Sequence, residues 1–372
     1  MVDSLLPAES TPYERALEAS LHERWEAFSI AAESIRGIKY SANRPQSFAP
    51  YLVYEYGLDF LRPFVPDLNS LIVEGVAWER VRGTPQAVAL GLRWVGYTAT
   101  IVQPSTDRRW WNSFQLYFGE LPRFDAPDLS QIEGVVGLSV PKRSQFRRGV
   151  FGYDATALIL NSGRLNQSML DFESGVSYRD SKAIWSFGRL TELTHTLSQA
   201  EGEAIGNWLE PVDDDGLLWV DMTYPWVTAD FKWADDGKAQ RAALMAAFFR
   251  DRIVYMQFVD DGSKTIGYRR CKCAPVRATP GGSYEYSGAT FAPSASGDAV
   301  YIEALTGFGD AQDVRAVKVA LVVDAQLAAG VRPGRLWLGS SEIVGGKQFA
   351  ETAISLDMRK TLRQQVKILL RF

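Results

Sequence analysis

Apolar residues change their spacing partway along this 372-residue chain. Up to about residue 97 they recur every three or four positions, the period of a helix burying one stripe. Beyond that point they fall into short β-branched and aromatic runs, the mark of strands. Helices gathered at one end and strands at the other predict an α+β chain: a mainly helical N-terminal domain with one long helix, then a mixed but mainly antiparallel β-rich C-terminal region.

The helical end is punctuated clearly. Thr11-Pro12-Tyr13-Glu14 supplies an N-cap, a proline at the first helical position and a glutamate placed to close a capping box. Leu17, Leu21, Trp25, Phe28 and Ala32 then form a stripe, with Glu18, Glu23, Arg24 and Glu26 on other faces, so the helix is predicted to reach about Gly37. At 1.5 Å per residue it spans about 40 Å, far more than an ordinary globular helix. Leu17, Leu21, Trp25 and Phe28 are therefore expected to pack against other chains as well as their own. Further helices are predicted over 48–57, 70–81 and 84–96, the last opened by Thr84-Pro85 and closed by Gly96.

Thr98–Val102 and Phe114–Phe118 read as the first strands. From about residue 125 short strand-like runs alternate with turn dipeptides, including Leu158–Leu160 before Asn161-Ser162-Gly163 and Leu217–Val220 after Asp215-Gly216. One helix, over 240–250, interrupts them, and the apolar C-terminal run Val366–Phe372 is predicted to be a final paired strand. Along the chain this gives three segments: a helical domain over 1–124, a β-rich domain over 125–210, and an α+β domain over 211–372 that could carry a fibre or partner.

Little in the sequence points to chemistry. The composition, 46% hydrophobic and 23% charged, is that of a folding chain, and the formal charge of -4 argues against a general nucleic-acid binder. The basic run Pro141–Arg148 is expected to be a solvated loop facing an acidic protein surface. No apolar stretch is long enough for a signal peptide or a membrane span. His22 and His195 are the two histidines, too few for a triad or a histidine-rich metal centre. Cys271 and Cys273 are expected to be reduced and to lie on one strand face, because a structural zinc site needs four ligands. No cofactor is expected.

Two patterns carry rival readings. The acidic turns Asp213–Asp215, Asp235-Asp236 and Asp260-Asp261 could place paired carboxylates for hydrolysis of an envelope polymer, though Asp-Gly is ordinary turn chemistry. Trp208, Trp219, Tyr224, Trp226 and Trp233 could line a glycan or receptor face, against the commoner use of aromatics in β cores and fixed interfaces.

Four pieces in order carry a resemblance. They are Leu5-Leu6-Pro7 followed by Thr11–Leu17, the stretch Pro50–Gly57, Val81–Val88, and Leu92–Gly96. In sequence and spacing they resemble the tail protein I family of contractile-tailed phages and related contractile particles, whose members are baseplate wedge subunits. The resemblance covers about the first third of the chain. It implies a non-enzymatic virion protein of the tail baseplate, assembled in the host cytoplasm. Its long N-terminal helix would bundle with a second, larger wedge subunit, and its distal parts would reach other baseplate proteins or a tail fibre. Neither nucleic acid nor membrane is an expected partner.

Overall fold

The computed structural model describes residues 6–37, 45–103, 111–155, 173–179, 181–206 and 237–372; within these, the side chains of 21–27, 34–36 and 237–240 are not described. The fold is α+β and forms two compact units, each discontinuous in sequence: 1–99 with 126–146, and 100–125 with 147–372.

The first unit is helical. Its elements are α1 (Pro12–Gly37), α2 (Ala49–Glu55), α3 (Leu68–Val81), α4 (Pro85–Trp94) and α5 (Asp128–Ser139), with short 3-10 turns at Gln46–Phe48 and Asp59–Leu61. Local chemistry sets the helix starts. Asp67 caps α3 by accepting from the backbone N–H groups of Asn69 and Ser70, and Thr84 caps α4 ahead of Pro85.

Trp78 is the centre of this core. It is fully buried beside Leu58, Leu61, Leu71 and Val135. Its indole N–H donates to the Ala87 carbonyl and to Ser139 Oγ, both at 3.1 Å, so burial leaves no polar atom unsatisfied. Helix α5 was not anticipated from the sequence, where its two glycines weaken the helical signal. Tertiary packing explains one of them: a Cβ on Gly134 would collide with the Phe64 ring.

The second unit is built on two sheets. The strands are β1 (Ala99–Val102), β2 (Ser113–Phe118), β3 (Gln145–Gly152), β4 (Val176–Ser177), β5 (Ile184–Thr196), β6 (Val254–Val259), β7 (Thr265–Arg270), β8 (Lys272–Ala278), β9 (Tyr284–Tyr286), β10 (Ala289–Pro293), β11 (Ala299–Leu305), β12 (Val314–Leu327), β13 (Trp337–Gly339), β14 (Ile343–Met358) and β15 (Leu362–Arg371). The larger sheet runs β1-β2-β3-β5-β15-β11-β8-β10-β9, with β4 paired to β5; the smaller runs β13-β7-β6-β12-β14. Helices α6 (Gln199–Ile205) and α7 (Gly237–Arg250) complete the unit.

Strand alternation forms the core between the sheets. Val300, Ile302 and Ala304 of β11 and Val366, Ile368 and Leu370 of β15 meet Val254, Met256 and Phe258 of β6 and Val319, Leu321 and Val323 of β12, with Met245 and Phe249 of α7 in the same cluster. Each of these side chains except Ala304 contributes about 1.5–3 kcal/mol on leaving water.

The final strand is central to the larger sheet. Strand β15 pairs in parallel with β5 and antiparallel with β11. The compact units therefore differ from the three consecutive segments read from the sequence: one sheet contains strands from either side of residue 210, and α5, beyond residue 124, packs with the N-terminal helices. The expected strands over 158–160 and 217–220 lie outside the described residues.

Candidate functional site

Helix α1 is the element whose described side chains are the most uniformly exposed. The capping box forms as the sequence predicts: Thr11 Oγ1 accepts from the Glu14 N–H at 3.3 Å, and the Glu14 carboxylate accepts from the Thr11 N–H at 2.7 Å and hydroxyl at 2.9 Å. Those bonds, led by the one from the Thr11 N–H, hold the Glu14 carboxyl below the usual glutamate range. Arg15 braces the preceding turn, donating through Nη2 to the Ala8 carbonyl at 2.7 Å and through Nε to Ser10 Oγ at 3.0 Å.

Its described side chains are exposed, with Glu18 alone among them half-buried. Leu17 is 48% and Phe28 69% exposed. Leu21 and Trp25 fall in the same stripe by helical spacing, but their side chains are among those not described. Leu17 and Phe28, exposed on a 26-residue helix, do not supply it with the tertiary packing from which most helical stability in proteins arises.

A second apolar surface escaped the sequence reading. Phe48, just ahead of α2, and Tyr51 and Tyr54 on it, spaced by three, are exposed, as is Val73 on α3. The stretch was read only as a short helix, with no face assigned; Ala49, Leu52 and Val53 are the residues of α2 that turn inward. Tyrosines with an apolar ring and a polar tip suit a surface that is wet before it is covered.

The other candidates resolve differently. Trp208, Trp219, Tyr224, Trp226 and Trp233, with Asp213–Asp215 and Asp235-Asp236, lie outside the described residues, and the side chain of His22 is not described. Asp260-Asp261-Gly262 is a hairpin turn between β6 and β7, where Asp260 Oδ1 accepts from the Lys264 N–H at 2.8 Å. Cys271 and Cys273 are free thiols at the edge of the core; burial raises both, Cys273 to about 12. No cluster of three or more metal-binding side chains occurs among the described residues. His195 bonds through Nε2 to Glu201, the N3 residue of the α6 capping box, at 3.0 and 3.1 Å.

One expectation is corrected. Arg147 and Arg148 do not belong to a solvated loop: they lie on β3 and turn inward, 8% and 0% exposed. Arg147 pairs with Glu173. Arg148 holds both oxygens of Asp154 and also donates to Ser174 and Gln115. Both faces of β3 are covered here, so two consecutive residues are buried although their side chains leave the strand on opposite sides; Asp154 lies six residues on from Arg148, and Glu173 lies 26 on from Arg147.

Residues 6–136 match the family described as phage tail protein (Tail_P2_I). No curated protein matches the chain. Among the described residues, no helix is long and apolar enough to cross a membrane.

Proposed function

We propose, because residues 6–136 match the family described as phage tail protein (Tail_P2_I), that the chain is a structural protein of a phage tail and, within it, a wedge subunit of a contractile-tail baseplate. In this role α1 lies in a bundle with helices of a second, larger wedge subunit. The observation that carries the reading is the exposure of Leu17 and Phe28 on a helix whose start is fully capped. Capping makes the helix form, and its stripe then needs a partner.

The β-rich unit is the part we assign to contact with other baseplate proteins or a tail fibre. The role is non-enzymatic and needs no cofactor: a wedge asks for fixed apolar interfaces, and such interfaces are dominated by a few buried aromatic and aliphatic anchors.

Co-expression with the product of the adjacent baseplate gene, followed by size exclusion, tests the proposal. The two proteins are expected to elute together. Elution of this chain as a separate, stable monomer would overturn the assignment.

A further inference from the structure

The outer face of the larger sheet, opposite the inter-sheet core, is unevenly covered. Register places Glu192 of β5 beside Lys367 of β15, Lys367 beside Glu303 of β11, and Glu303 beside Lys272 of β8, a row of alternating charge across four strands. This row is closed off by the β9–β10 hairpin. Lys367 Nζ donates to the Glu285 carbonyl at 2.9 Å, and Lys272 sits over the Tyr284 ring.

Four residues earlier on β15, the same face presents Arg363, beyond that row. Its guanidinium carbon is 4.8 Å from the Phe308 ring centroid and 5.4 Å from that of Tyr153. Glycine makes the second contact possible: Gly188 is the register partner of Arg363, and a Cβ there would collide with the Tyr153 carbonyl and ring. Arg148, on the same face, has its charge matched by Asp154. Among the described residues Arg363 forms no ion pair, and its one hydrogen bond runs from Nη2 to Ser174 Oγ at 3.4 Å, an oxygen already shared with Asp154, Ser186 and Arg148. Its Nε is buried without a partner among the described residues, and so is the hydroxyl of Tyr153.

Buried donors are nearly always bonded, and an unmatched guanidinium costs more than a neutral one. Burial drives the Tyr153 phenol upward, so this hydroxyl keeps its proton and stays a donor. Arg363 is itself only half-buried and can be reached. Leu190, 47% exposed, stands one step along the same face beside Gln365 and provides adjoining apolar surface.

We propose that Arg363, with Tyr153 and Phe308 about it, is a receptor for a carboxylate borne by a partner polypeptide. A guanidinium fork matches a planar carboxylate, and nearby rings limit the water that would screen the pair. Glu303 lies close enough to act on the Tyr153 hydroxyl, which favours a singly charged carboxylate over a doubly charged phosphate. The site is in the β-rich unit and stands independently of the role assigned to α1.

Calorimetric titration of the full-length chain decides the matter with three probes: a capped acidic pentapeptide, a neutral pentapeptide with a free C-terminal carboxylate, and inorganic phosphate. One of the peptides is expected to bind at millimolar concentration, and which one binds tells a side-chain carboxylate from a chain terminus. Arg363→Met should weaken it by at least about tenfold and Arg363→Lys should not restore it, since a point charge lacks the fork. Tyr153→Phe keeps the ring, so the protein stays folded, and it should also bind more weakly. Silence of both peptides, tighter binding of phosphate, or binding unchanged in both the Met and the Phe variants would overturn the proposal.

Discussion

Arg148 and Glu201 are each bonded to groups far away in sequence, and each therefore does more than its local sequence announces. Arg148 is fully buried, and Arg148→Met would strip Asp154 of its counter-charge; breaking such a pair costs about 3–5 kcal/mol. A large drop in the urea midpoint is expected. Glu201 completes the α6 capping box with Ser198, accepts from His195, and accepts from the Ala350 N–H at 2.8 Å on β14. Against the desolvation that would raise it, the Ser198 bonds and then the His195 and Ala350 bonds hold its carboxyl down to about 2. A carboxyl lowered on folding stabilises the protein above its unfolded value near 4.5 and loses that contribution as pH falls toward about 2. Glu201→Gln should therefore lower the melting temperature at pH 7, at a cost of about 1–2 kcal/mol, and flatten its fall between neutral pH and pH 3. Scanning calorimetry across that range checks both. Ser198 and Glu201 are three residues apart and readable as a capping box; the bond to Ala350 depends on a strand about 150 residues away.

Helix α1 shows what an element discloses without its surroundings. Capping and periodicity predicted its bounds, because both are set within a few residues. They could not say what covers its stripe. Since Leu17 and Phe28 are exposed, replacing both by Asp is expected to leave the thermal midpoint of the isolated chain within about 0.5 kcal/mol of its original stability, the usual range for surface changes. The same pair of changes should abolish co-elution with the wedge partner, because unpaired charge would enter a dry interface. A fall in midpoint with co-elution preserved would place the stripe in this chain's own core. Helices α5 and α6 passed unrecognised for opposite reasons. The first carries glycines suited to close packing, and the second is only seven residues long, too short for periodicity to register.

At the scale of the molecule, the chain's route matters more than its order. A fragment ending at residue 124 would lose α5, and with it Val135 against the Trp78 core and the Ser139 hydroxyl that accepts from the indole. Residues 45–146 are expected to melt cooperatively by circular dichroism, and residues 45–124 are not. Residues 100–125 belong with the strands instead: Arg359 donates to the Pro122 carbonyl at 2.7 Å, and Thr361 to Asp125 at 2.6 Å. Discontinuous units of this kind cannot be cut from a sequence by composition, because their boundaries are contacts between distant segments.

The sequence by itself determined the α+β class, the capped N-terminal helix, the hairpin turn at Asp260 and the family of the first third. Each depends on capping, turn chemistry or spacing that acts over a few residues. Tertiary structure alone decided that Arg147 and Arg148 are buried, that the last strand sits at the middle of a sheet, and that Arg363 lies among aromatic rings with no ion pair among the described residues. Those outcomes follow from strand pairing across scores to hundreds of residues, where register chooses which side chains meet.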